Sequence, residues 1–163
     1  MIEVIEKHTV YFRESLKATD EEGVRRVLQS SGFFTSEEIY CAMCPIYETF
    51  NGPFEPYYFL IAEESNRVVG YVCFNRITTT VGSYELLWMA VACRGQGLGA
   101  QLLSRVEHTV RKLGGKRLFL ETHSIPLYAP TRKFYTKCKY QQTGIIKNMY
   151  GVNDDSVVYV KEL

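Results

Sequence analysis

Tyr84-Glu-Leu-Leu-Trp-Met-Ala-Val-Ala92, followed by Cys93-Arg-Gly-Gln-Gly-Leu-Gly99, is the stretch that decides the fold. Its first half is a near-continuous apolar run, the pattern of a strand buried on both faces. Its second half sets Gly95, Gly97 and Gly99 at alternate positions. From Leu98 onward apolar residues recur at Leu102, Val106, Val110 and Leu113, one face of an amphipathic helix that Gly114-Gly115 ends. A helix start offers unpaired N–H groups and the positive end of a dipole. Glycines let linked phosphates approach the backbone without a Cβ in the way, and Arg94 adds a fixed positive charge at the rim. The local chemistry is diphosphate binding. The bland alternative is a tight turn at a glycine-rich helix entry, and glycine at every second position argues against it.

Working outward, Thr9 to Glu14 alternates loosely and reads as a strand. Thr19-Asp-Glu-Glu22 and Thr35-Ser-Glu-Glu38 each read as a capping box opening a helix. The first helix turns Val24, Val27 and Leu28 inward and stops at Gly32; the second turns Ile39, Met43, Ile46 and Phe50 inward. Pro45 should kink the second helix or end it early, and Asn51-Gly-Pro53 is a stop. Tyr57 to Glu63 and Val68 to Asn75 read as strands joined by a Glu64-Ser-Asn-Arg67 hairpin, with Gly70 marking a bulge or a close approach. Thr78 to Gly82 is a turn region. Beyond the amphipathic helix come a buried strand at Arg117 to Glu121, a short helix from Leu127 to Cys138, and strands near Gln141 to Lys147 and Ser156 to Lys161.

The chain has 163 residues, enough for one domain with a sizeable core. Apolar residues at 46% and charged residues at 23% exclude disorder by composition. A formal net charge of +1 gives no basic excess for nucleic acid or an anionic membrane. No apolar run reaches transmembrane length, and Glu3, Glu6 and Lys7 spoil a signal peptide, so the chain reads as cytoplasmic. Cysteine usage fits that compartment. Cys41 and Cys44 form a lone C-x-x-C in mid-helix, without the second ligand pair a metal site needs, and read as small core-facing residues. No metal site is expected.

Which diphosphate is bound is less direct. Gly95-x-Gly97-x-x-Ala100 also satisfies a dinucleotide fingerprint, and Glu121 ends the next strand where a ribose-binding acid could sit. Too many strands precede the motif, and too few elements follow it, for a doubly wound sheet. No G-x-x-x-x-G-K-[ST] occurs, which excludes a P-loop.

Arg94-Gly-Gln-Gly97-Leu-Gly99 resembles the [Q/R]-x-x-G-x-[G/A] signature of the GNAT superfamily of acetyltransferases. Tyr84 to Val91 is similar to that family's fourth strand, and Lys133-Phe-Tyr135-x-x-x-Lys139-Tyr140 to its helix-to-strand segment, commonly F-Y-x-x-x-G-F. The element order fits over nearly the whole chain. The resemblance implies an α/β (α+β) acyl-CoA N-acyltransferase fold, with flanking helices and a mixed sheet of about seven strands whose fourth and fifth splay apart. It implies an N-acetyltransferase moving acetyl from acetyl-CoA to a primary amine by direct attack. The residues from Gly95 through Gln96, Gly97 and Leu98 to Gly99 and Ala100 would hold the pyrophosphate through backbone N–H groups, with Arg94 beside them. Main-chain groups of Met89 and Val91 would bond the pantetheine arm in the splay.

Tyr135 matches the tyrosine that protonates the leaving thiolate, a role its phenol suits. Attack needs a neutral amine, so something must take a proton. Glu85 matches the glutamate some members use, and its apolar neighbours should raise its pKa toward a useful value. His123, ending the neighbouring strand with Glu121 and Thr122, is a second candidate base, and ordered water is a third. Lys112, Lys116, Arg132, Lys133 and Lys137 are candidates for the CoA 3′-phosphate. Two departures stand out. Tyr128 and Thr131 occupy places where asparagine and alanine are common, and Lys139 replaces a glycine.

The acceptor side should be covered by about Ser30 to Pro56, with Phe33, Phe34, Tyr40, Tyr47, Phe50 and Phe54 as possible pocket walls. A small amine or amino acid is the expected acceptor, a peptide N-terminus or lysine the next. A non-catalytic acyl-CoA-binding module on the same fold, and a nicotinamide-dinucleotide protein, are the rival readings. Homodimer formation through the last two strands is possible by analogy with the family.

Overall fold

The computed structural model describes residues 9–53 and 57–163. Glu3, Glu6, Lys7, Phe54 and Pro56 lie outside the described residues. Strands form at Val10–Arg13 (β1), Tyr58–Glu64 (β2), Arg67–Arg76 (β3), Ser83–Val91 (β4), Arg117–His123 (β5), Gln141–Gly151 (β6) and Asp154–Glu162 (β7). Helices form at Asp20–Ser30 (α1), Ser36–Asn51 (α2), Leu98–Lys112 (α3) and Ala129–Lys137 (α4), the last entered through a 3-10 turn at Pro126–Tyr128. Among the described residues seven strands join one mixed sheet, as the resemblance implied; their order is β1-β2-β3-β4-β5-β7-β6. Among the described residues only β4 and β5 pair in parallel. That topology is not the doubly wound sheet a dinucleotide site requires.

Two apolar layers sandwich the sheet. On one face Val24 and Leu28 of α1 and Met43 and Ile46 of α2 pack on Ile61 and Tyr71. On the other, Leu102, Val106 and Val110 of α3 pack on Val72 and Leu118. Ser65 and Asn66, with φ of 48° and 60°, make the β2–β3 connection, since a two-residue hairpin loop needs left-handed residues at both positions. Both expectations for Gly70 hold. Register slips beside it, between Ala62 and Glu63, and a Cβ there would come within 3.0 Å of Leu102 Cδ1. Among the described residues no helix is long and apolar enough to cross a membrane.

Several local expectations are corrected. The capping box at Thr35 forms, with Glu38 N–H donating to the Thr35 hydroxyl and Thr35 N–H to the Glu38 carboxylate. The equivalent box at Thr19 does not: Thr19 is itself helical and caps nothing with its side chain. Asp20 takes over that helix start, accepting the Lys17 amide at 2.7 Å and the Arg13 guanidinium. Pro45 neither ends nor shortens α2, which runs on to Asn51; Cys41, whose carbonyl loses its donor to the proline, is exposed to water. That register turns Cys41 outward and leaves Cys44 half-buried, so they are not core residues. Phe50 and Tyr40 also face solvent. Leu87, Trp88 and Met89 are only half-buried, because β4 is open on the side where β5 leaves it.

Candidate active site

β4 and β5 pair only at Ser83↔Arg117, Tyr84↔Leu118 and Glu85↔Phe119, after which the strands separate. β4 carries a bulge at the point of divergence. Cys73 pairs with Trp88 and Phe74 with Leu86, leaving Leu87 as the extra residue. A bulge bends its strand and shifts the side-chain alternation by one. Tyr84 and Leu86 face the α3 layer before it, and Met89 and Val91 face that layer after it. The Ala92 amide donates to Val69 of β3 at 2.8 Å. By the alternation of an antiparallel ladder, the main-chain groups of Val91 and Met89 point the other way, into the gap.

The glycine turn closes one end of that gap. Gly95 and Gly97 hold φ of 80° and 77°, conformations in which any Cβ is strained. Gly97 stands at the N-terminus of α3, and no other group lies within 4 Å of where a Cβ on Gly95 or Gly97 would sit. The loop is therefore an open concave surface of backbone at a helix start. Gly99 serves a different purpose. A Cβ there would lie 3.4 Å from both Met89 Cε and Phe134 Cζ, so the position seats α3 against β4 and α4. A cavity of about 620 Å³ runs from this loop along Met89 and Val91 and is lined by Gly95, Gly97, Leu98, Gly99 and Ala100; the exposed Gln96 is not in its wall.

A second cavity, of about 510 Å³, lies on the α1–α2 side and is walled by Phe33, Phe34, Trp88, Tyr128 and Tyr150, with Glu85 and Glu121 among its polar groups. Four residues line both cavities: Met89, Arg94, Thr131 and Tyr135. The Tyr135 ring is 7% exposed, and among the described residues its hydroxyl has no hydrogen-bond partner. Burial holds its phenol well above the ordinary value for tyrosine, and Arg94 pulls weakly the other way. The phenol stays protonated at working pH. Thr131, in the place where alanine is common, keeps its hydroxyl buried and unpaired at the same junction.

Arg94 is not simply a rim charge. Its guanidinium sits 3.4 Å from the centroid of the Phe33 ring, and although the residue as a whole is exposed, partial desolvation lowers its pKa. Glu85 lines the aromatic-walled cavity, at the last position of β4 that pairs with β5. His123 is differently placed from a base. Its Nδ1 is 2.7 Å from Asp154 and its Nε2 3.2 Å from Glu38, while its ring is stacked between Tyr150 at 3.7 Å and Tyr128 at 4.4 Å. Neither ring nitrogen is free to meet an amine. Tyr128 donates its hydroxyl to the Phe33 carbonyl at 2.9 Å, so it too is spent on the wall.

Of the aromatics expected around the acceptor, Phe33 and Phe34 line the cavity. Tyr47 is tied instead to Arg25 and Glu21. Among the basic candidates, Lys137 lines the glycine-loop cavity, whereas Arg132 donates to the His123 and Ile125 carbonyls. Lys139 adopts φ of 71° in place of glycine, and the turn still closes through Tyr140 N–H to the Tyr135 carbonyl at 3.0 Å. Sequence reasoning missed the Leu87 bulge and the His123 cluster, since both depend on long-range partners.

The family model of the GNAT acetyltransferases matches residues 23–140. The chain belongs to the GNAT acetyltransferase family. A solved protein of Desulfovibrio desulfuricans assigned to the same family is 39% identical, with a TM-score of 0.90 over 94% of this chain and 99% of that one. The ribosomal-protein-S18-alanine N-acetyltransferase of Escherichia coli shares the fold at 18% identity, with a TM-score of 0.73 and 94% of each chain covered. An aminoglycoside 6′-N-acetyltransferase solved with coenzyme A shares it at 17% identity and a TM-score of 0.74, over 93% of this chain and 96% of that one. No curated protein matches the chain significantly. As a GNAT acetyltransferase the protein is a transferase that uses acetyl-CoA as cosubstrate.

Proposed function

We propose that this GNAT enzyme acetylates the primary amine of a small molecule bound in the aromatic-walled cavity. The observation that carries the reading is the position of Tyr135, a buried, unpartnered phenol in the shared wall of the two cavities.

The residues fit a CoA diphosphate and arm. Open left-handed glycines at a helix start match linked phosphates. The gap-facing main chain of Met89 and Val91 matches the amide-bearing arm, and Lys137 matches a terminal phosphate. Arg94 leaves Phe33 to meet the diphosphate charge. Gln96 contributes only its backbone.

Acetyl-CoA supplies the acetyl group as a thioester and departs as the thiol. Glu85, acting through water, accepts the proton the amine loses as it attacks. Tyr135 donates a proton to the departing sulfur and is re-protonated from solvent. Acid–base help of this kind contributes about 10² to 10⁴ in rate. A screen of amines with acetyl-CoA, following release of free thiol, tests the reading. Saturable thiol release with a small primary amine supports it, and acetylation of protein amines alone counts against it.

A further inference from the structure

The acceptor cavity has an unusual charge pattern. Glu38 is spent on the Thr35 amide and His123. Glu85 and Glu121 are not neutralised in this way. Among the described residues Glu85 makes no hydrogen bond or ion pair, and Glu121 accepts only the Ser156 hydroxyl, at 2.6 Å. Both stand on the same face of the sheet. Glu85 is opposite Phe119, so Glu121 lies two residues further along the parallel neighbour. Strand spacing and rise put their Cα atoms roughly 8 Å apart, or more where the strands splay. The one arginine among the residues lining this cavity, Arg94, rests on Phe33.

Two uncompensated carboxylates in an aromatic cavity attract cations. They also repel a carboxylate. An α-amino acid would bring its own acid group between Glu85 and Glu121, with only Arg94, which the diphosphate also claims, to offset it. Tyr135, a residue 7% exposed with an unpartnered hydroxyl, lines both cavities and marks where the reacting nitrogen must come.

Resting on the acetyltransferase reading above, we infer that the acceptor is a small diamine, one nitrogen reacting beside Tyr135 and the other held as an ammonium by Glu121. Glu85, the base assigned to the reacting nitrogen, and Glu121 are offset by two residues along the strands, so the nitrogens would lie roughly 6–8 Å apart. The pocket thus selects on a second positive charge. The Ser156–Glu121 hydrogen bond fixes the carboxylate that reads it.

The test is calorimetric titration of the CoA-bound protein with 1,5-diaminopentane, with 1-aminopentane, and with an α-amino acid of equal chain length. The diamine should bind about tenfold more tightly than the monoamine, the difference expected of one charge-assisted contact. Glu121→Gln should weaken the diamine about fivefold and the monoamine less than about twofold, and Glu121→Asp should retain part of the preference. Equal affinity for diamine and monoamine, tighter binding of the amino acid, or equal weakening of both amines by Glu121→Gln overturns the inference. Thiol release is followed separately. Tight diamine binding without thiol release from acetyl-CoA sinks the transfer reading and leaves the charge selection standing. Thiol release with monoamines and no diamine preference sinks this inference alone.

Discussion

The Arg94 guanidinium lies 3.4 Å from the centroid of the Phe33 ring, so a residue of the glycine turn rests on a wall of the aromatic-walled cavity. The two cavities are joined by this contact as well as by Tyr135. Arg94→Ala is expected to weaken acetyl-CoA about tenfold, by removing a charge-assisted phosphate contact. Arg94→Lys should recover only part, since an ammonium lacks the fork geometry. Calorimetric titration with acetyl-CoA checks both.

His123 ties the N-terminus of α2 to the β6–β7 hairpin through Glu38 and Asp154. Its replacement by alanine removes two charge-assisted contacts and a stacked ring. We expect a loss of about 2 kcal/mol, read as a fall of roughly 5 °C in Tm. The amine KM should rise more than the acetyl-CoA KM. A variant with unchanged Tm and a large loss in kcat would instead mark His123 as the base.

Tyr135→Phe should keep acetyl-CoA affinity and lower kcat about 100-fold, the loss of one positioned acid. The pH dependence follows from burial. The folded phenol titrates well above the unfolded one, so between the two values the unfolded state carries the fewer protons and stability falls as pH rises. Tyr71 and Tyr140 are raised by burial in the same way. Stability should therefore decline above about pH 10, the ordinary phenol range, and less steeply in the phenylalanine variant. Urea melts across pH 8 to 12 read this directly.

The site was more legible in the sequence than its surroundings. The glycine turn and α3 follow from local rules, φ above zero at Gly95 and Gly97 and a clean apolar stripe. Tyr135 is named through the resemblance of Phe134-Tyr135 to the family's helix-to-strand segment, and it lines both cavities. What could not be read are features set by distant partners. Thr19 and Thr35 begin the same box, yet only Thr35 forms it: Thr19 is already helical, and Asp20, held by Arg13 and the Lys17 amide, takes that helix start. The inward face of α2 was misjudged at Cys41, Cys44 and Phe50, where sequence period alone does not say how far the sheet extends beneath the helix. The role of His123 depends on Asp154, which lies 31 residues away in the chain.

Arg13 sits between Asp20, whose side chain is 3% exposed, and Glu63. Arg13→Ala would leave the buried Asp20 carboxylate with the Lys17 amide alone, at a cost of about 3 kcal/mol in denaturant unfolding. The hydrogen bond from Arg13 lowers the Glu63 pKa. Its folded value lies below the unfolded one, so Glu63 stabilises the fold above the unfolded value, and this is lost as pH falls through the folded value. The alanine variant should show a shallower acid-side decline between pH 5 and pH 2 (approximately the carboxylate range).

Gly97 carries the most direct test. Gly97→Glu sets a carboxylate where the diphosphate is to lie, and titration of wild type and variant with acetyl-CoA measures the consequence. Saturable binding by the wild type, and a loss of at least about 100-fold in a variant that still melts cooperatively, is the predicted result. Equal affinity in the two proteins would contradict the placement of acetyl-CoA on this turn.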